Sequence, residues 1–102
     1  MHGVLNTDNL SLLGLTLDYG PFGFVEHFSA GYCPNSSDRE RRYCFGQQPR
    51  AVAFGLNRLA VALSVAAAGD KGGDRAAAAA LLQQELQRYP AAVSYTHLRA
   101  HE

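Results

Sequence analysis

Between Asn6 and Gly20 apolar and polar residues alternate, and one chain reversal sorts them completely. If the chain turns at Leu13-Gly14, a two-residue loop of the commonest hairpin length, Leu12 faces Leu15, Ser11 faces Thr16, Leu10 faces Leu17 and Asn9 faces Asp18. Side chains alternate across a strand, so the four leucines share one face and the four polar residues the other. A slip of one residue would scramble both faces. The pattern therefore predicts a β-hairpin over residues 4–20. Leu-Gly is its weak point, since such turns favour Asn-Gly or Gly-X.

Farther along, the period lengthens. Residues 21–48 are polar and irregular, with Gly31, Pro34, Gly46 and the charged run Arg39-Glu40-Arg41-Arg42. A helix is predicted over 49–68: Pro49 suits a first turn, and Val52, Leu56, Leu59 and Leu63 recur at helical spacing. The glycine-rich run from Gly69 to Gly73 ends it. A second helix is predicted over 74–89, with Asp74 as its N-cap and Ala78, Leu82, Leu86 and Tyr89 on its inner face. These stripes mark packing faces rather than chemistry. The expected fold class is α+β: a hairpin, an irregular segment and two helices.

Composition narrows the functional classes. A chain of 102 residues holds at most one small domain. With 47% hydrophobic and 18% charged residues it reads as globular rather than disordered. Nine basic residues balance nine acidic ones, so no global field draws it to nucleic acid or to a membrane surface. No uninterrupted apolar run of about 18 residues occurs, so no membrane span is expected. The first eight residues lack the pattern of a secretory signal. Cys33 and Cys44 are too few for a disulfide framework or an ordinary zinc site. They are open to two readings, a redox pair or two reduced thiols. The expectation is a cytoplasmic protein.

The hairpin has a chemical consequence. Directly opposed residues bring their Cα atoms to about 5 Å, so the Asn9 amide oxygen and the Asp18 carboxylate would converge at its open end. Magnesium is a hard cation, held by one or two protein oxygens together with water and substrate phosphates. Asn9 and Asp18 suit it, and Asp8, one residue away, could accept a proton from an attacking hydroxyl. Asn and Asp flanking strands also serve as turn formers and helix caps, and spacing alone leaves both readings open. Arg39, Arg41 and Arg42 could steady phosphates or an acidic substrate, or form a solvated loop of mixed charge. Phe22 and Phe24 are candidate buried hooks for the segment that follows.

Asp18-Tyr19-Gly20 is similar to the Asp-Phe-Gly triplet with which protein kinases hold magnesium, and Asn9 to their upstream Asn, although no His-Arg-Asp precedes it. A closer resemblance covers the same residues. His2-Gly3-Val4-Leu5-Asn6-Thr7-Asp8-Asn9, Leu13 through Phe24, Gly31-Tyr32-Cys33-Pro34-Asn35-Ser36-Ser37-Asp38, Arg42-Tyr43, Gln48-Pro49 and Leu56-Asn57-Arg58-Leu59-Ala60 resemble the selenoprotein O family. The likeness runs over residues 2–66 and less clearly to Ala92.

The resemblance implies part of the large lobe of a protein-kinase-like fold, with the nucleotide turned so that AMP is transferred. It implies a protein adenylyltransferase that modifies Ser, Thr or Tyr hydroxyls of target proteins, with ATP as substrate and Mg2+ or Mn2+ as cofactor. By motif, Asp8 is then the proton acceptor, Asn9 a metal ligand, and Asp18 a ligand to both metal and nucleotide. Family members are several times longer, and their ATP-gripping glycine, lysine and glutamate elements are expected upstream of Met1. Lys71, the only lysine, lies in a glycine-rich linker. The expectation is an internal fragment over 1–92, inactive alone. Residues 93–102, Val93 to Glu102, resemble translated sequencing-adapter DNA and are expected to be a non-native tail. Phe54-Gly55 stands where the family carries Trp-Asn. The competing expectations are an ordinary kinase-like phosphotransferase and a non-catalytic helical interaction module.

Overall fold

The computed structural model describes residues 1–15, 20, 22–69 and 74–93. It divides into two compact units, Met1–Gly55 and Leu56–Glu102. The regular elements are helical: a 3-10 turn at Thr7–Asn9, another at Phe45–Gln47, and the helices α1 (Gln48–Ala68) and α2 (Arg75–Leu86).

The expected α+β class and the hairpin over 4–20 are not observed, because no strand occurs among the described residues. Ser11 shows why. Its hydroxyl accepts the backbone N–H groups of Leu13 and Leu15 at 3.2 and 3.3 Å, and its carbonyl accepts that of Gly14 at 3.2 Å. A serine that captures its neighbours' amides offers the backbone an alternative to a ladder. Gly14 takes the positive φ of 69° that the turn needs, but a type I′ turn also demands one from Leu13, where a side chain makes it costly. Leu12 and Leu13 are 78% and 81% exposed, so no packed face rewards the pairing, and an isolated hairpin is marginal in water. The partner positions Thr16, Leu17 and Asp18 lie outside the described residues.

The first unit is tied by other pairings. The Met1 ammonium donates to the Gly23 carbonyl at 2.7 Å, and the Gly23 N–H donates back to the Met1 carbonyl at 2.9 Å. Asn35 Nδ2 donates to the Gly3 carbonyl at 3.2 Å. Gly3 is buried with φ 71°, and a Cβ there would lie 3.2 Å from Asn35 Cβ and Pro34 Cδ. Only glycine meets both demands without strain. The Phe45 N–H donates to Tyr32 and that of Gly46 to Ala30, at 2.9 and 2.8 Å, and the Phe28 and Phe45 rings meet edge to face at 6.0 Å. Phe22 and Phe24 pack on each other, also edge to face, yet both rings are exposed. They are not the buried hooks expected of them.

Helix α1 begins one residue before the expected start, led in by the 3-10 turn whose Phe45 carbonyl accepts the Gln48 N–H. Its most buried positions are small: Ala51 and Gly55 in the first unit, Ala60 and Ser64 in the second. Ser64 satisfies its hydroxyl on the Val61 carbonyl at 2.8 Å. The expected leucine stripe is less covered, with Leu63 exposed. In the second unit Leu56, Leu59, Leu63, Leu82, Leu86 and Tyr89 line an open apolar groove of about 880 Å³. Burial there raises the Tyr89 phenol above its usual 10.0.

Phe45–Ala68 is long and apolar enough, by length and composition, to cross a membrane, with a mean hydropathy of 1.7 over its best window. The expectation of no such segment rested on an unbroken apolar run. Arg50, Asn57 and Arg58 break the run but are outweighed by Ala, Val and Leu. Helices that pack inside proteins pass the same test, so it carries no membrane argument here.

Asp74 caps α2 as expected, its Oδ1 accepting the Ala77 N–H at 3.0 Å. The helix stops at Leu86 rather than running to Tyr89. A further helical turn spans 89–93, with Pro90 near its start, where a missing N–H costs little.

Candidate functional site

The Thr7–Asn9 turn sets out the residues singled out for chemistry. Asn6 caps it: its Oδ1 accepts the Asp8 N–H at 3.2 Å, and its carbonyl accepts the Asn9 N–H at 3.1 Å. This local use of an Asn side chain is what favours Asx residues at helix starts. Asn9 Nδ2 then donates to the Val4 carbonyl at 2.7 Å. That bond fixes which end of the amide is committed, and Oδ1 is the end that remains open to solvent. Asp8 is exposed, and no hydrogen bond among the described residues engages its carboxylate.

Two consecutive side chains on one turn thus offer hard oxygen donors to solvent, a donor set that suits Mg2+ or Mn2+ completed by water and phosphate. Among the described residues no group of three His, Cys, Asp or Glu side chains is gathered that could hold a metal by itself. Asp18, expected opposite Asn9 as a ligand to metal and nucleotide, lies outside the described residues.

A second cluster was not anticipated. Asp38 accepts the Arg42 N–H on Oδ1 at 2.9 Å and the Tyr43 N–H on Oδ2 at 2.8 Å. The Cys33 thiol lies 3.5 Å from the same Oδ2. The Tyr43 N–H is the largest influence holding the Asp38 carboxyl below its usual 3.8. Partial desolvation opposes it, while the Arg42 N–H, the Cys33 thiol and the Arg42 charge assist. One carboxylate therefore closes the 38–43 loop. The turn-rich run Asn35-Ser36-Ser37-Asp38 was the available signal, but it does not say which acid closes on which amides. Cys33 and Cys44 are both free thiols, Cys44 buried.

The arginines divide. Arg41 Nη1 donates to the Gly31 carbonyl at 2.7 Å. The Arg42 guanidinium lies 4.9 Å from the Phe54 ring centroid and 5.8 Å from that of Tyr43, within cation–π range.

The described part of the site is thus an exposed acid followed by an exposed amide on one capped turn. The comparisons supply the class. The family model described as "Protein adenylyltransferase SelO" matches residues 1–100, and the chain belongs to that family. The match reaches beyond Ala92, where the resemblance read from the sequence stops.

Among curated proteins, the chain is 58% identical over 64 residues to the protein nucleotidyltransferase YdiU of Methylobacillus flagellatus. It is 56% identical over 64 residues to that of Tolumonas auensis, and 60% identical over 62 residues to that of Thiobacillus denitrificans. These alignments cover 61–62% of this chain but only 12–13% of each relative. The chain thus spans about an eighth of the length of the curated relatives it matches. No solved structure gives a significant match.

Proposed function

We propose that this chain supplies the metal-binding and proton-accepting edge of a protein adenylyltransferase, which moves AMP from ATP to Ser, Thr or Tyr hydroxyls of other proteins. The observation that carries the reading is the Asn6-capped turn, which commits Asn9 Nδ2 to Val4 and leaves Asn9 Oδ1 and the Asp8 carboxylate as adjacent exposed oxygens. Family membership supplies the reaction.

In that reaction a target hydroxyl forms a bond to the α-phosphorus of ATP, the bond to pyrophosphate breaks, and pyrophosphate leaves. Asp8 takes the hydroxyl proton, a role that needs an exposed carboxylate within reach of the incoming oxygen. Asn9 Oδ1 and Asp18 would hold Mg2+ or Mn2+, whose positive charge eases charge build-up on the phosphates. Val4 and Asn6 act through the turn: one anchors the Asn9 amide, the other fixes the backbone that carries Asp8.

The test is a chimera in which this chain's 64 matched residues replace their counterparts in the Methylobacillus flagellatus relative. Incubated with ATP, Mg2+ and a protein target, it should add one AMP to the target by mass spectrometry, as the parent does. Asp8→Ala should lower the rate by about 10²–10⁴-fold, the usual span for a lost general base. Addition of a phosphate instead of AMP, or an unchanged rate in Asp8→Ala, would overturn the reading.

A further inference from the structure

We propose that the pocket between the 40–44 loop and the start of α1 binds an acidic peptide segment by its glutamate or aspartate side chains. The pocket, about 650 Å³, lies wholly within the first unit and is lined by Arg41, Arg42, Arg50, Glu40, Gln47 and Phe54 among others. Three arginines and one glutamate therefore line it, on a chain whose formal net charge is zero. The local excess is cationic.

Among the described residues none of the three arginines forms an ion pair, and Arg42 feels the Asp38 charge only at longer range. Among the described residues the sole ion pair is Arg88–Glu85 on α2, at 3.1 Å, and Glu40 pairs with none of the three arginines although it lines the same pocket. Arg42 is also held in place. Its guanidinium carbon lies over the Phe54 ring, 4.9 Å from the centroid, a cation–π contact that uses no N–H donor. An arginine whose N–H donors are left uncommitted by that contact suits bidentate recognition of a carboxylate. The Arg41 side chain is tied by its bond to Gly31, and its backbone takes a φ of 54°, unusual for a residue with a side chain.

The lining favours an acidic side chain over a bare phosphate. Phe54 and Ala51 give an apolar wall against which the methylenes of a glutamate can lie, and Gln47 can bond a neighbouring peptide group. A phosphate ion would use only the guanidiniums.

The proposal is tested by fluorescence anisotropy with a labelled Glu-rich peptide and its Gln-for-Glu twin, at low salt. It is read on the full 102-residue chain and on the chimera, where surrounding sequence holds the fold. The Glu peptide should bind both proteins and the twin at least about tenfold more weakly. Arg42→Ala combined with Arg50→Ala should weaken binding at least about tenfold, while Arg75→Ala on α2, made in the 102-residue chain, leaves it unchanged. Equal binding of the twin, an unaltered double variant, absence of binding to both proteins, or displacement by pyrophosphate at lower concentration than by free Glu peptide would each overturn it. If the adenylyltransferase reading fails instead, AMP transfer is lost while peptide binding persists.

Discussion

Asp38 shows most clearly what a single residue does in this chain. Its carboxylate holds two consecutive amides and receives a thiol, and those contacts lower its pKa below 3.8. A group whose folded pKa is depressed adds stability above its unfolded pKa and loses it as pH falls through the folded value. The 38–43 loop should therefore keep its full protection above the ordinary carboxylate range and lose it progressively as pH falls through the lowered Asp38 value. Amide exchange at Arg42 and Tyr43 would report it, and Asp38→Ala should show the fast exchange at every pH. Slow exchange in that variant would contradict the assignment. Gly3 offers a second check. Its positive φ and crowded Cβ position predict that Gly3→Ala costs about 1–2 kcal/mol in a denaturant titration. At this scale the sequence is partly legible. Asp8 and Asn9 can be singled out from residue type and spacing, and they do occupy one turn. Asp38 cannot, because its partners are backbone amides, which any sequence would provide.

At the scale of elements, legibility follows how locally each is determined. The helices are encoded in short range by Pro49, the Ala-rich runs and Asp74, and they form close to where the pattern puts them. The Asp74 cap should contribute about 1 kcal/mol, so Asp74→Ala should lower α2 helicity by circular dichroism, while Asp74→Asn should largely keep it. The hairpin was a non-local inference from a clean alternation, and alternation says nothing of what covers the apolar face. With Leu12 and Leu13 open to solvent and the Ser11 hydroxyl holding two of the amides, a turn wins over a ladder. Removing that competitor tests the explanation: in Ser11→Val the Leu13 and Leu15 amides should exchange faster. Unchanged exchange would show that the hydroxyl is not what holds the turn. The end of α2 was misread for a comparable reason, since Pro90 stops one helix but also starts a helical turn over 89–93.

At the scale of the whole molecule, the apolar surface is out of proportion to the core. Phe24, Phe28, Val61, Leu63, Val65 and Leu81 are all exposed, and among the described residues the buried side chains, Cys44, Ala51, Ala60 and Ser64, are small. A chain spanning about an eighth of its relatives' length has little area with which to offset chain entropy. The isolated chain should accordingly bind a hydrophobic dye strongly, and that signal should fall once the segment sits inside the chimera. The family assignment does not depend on such stability, since it rests on a sequence match over residues 1–100.

The central claim is that Asn9 and Asp18 hold the divalent ion beside Asp8, and manganese reads it directly. Mn2+ titrated into isotope-labelled protein with ATP, on the chain and on the chimera, should broaden the amide signals of Asp8, Asn9 and Asp18 before any others, and Asn9→Ala should abolish that preference. First broadening at Asp38 or Glu85, or a response untouched by Asn9→Ala, would place the ion elsewhere and contradict the account.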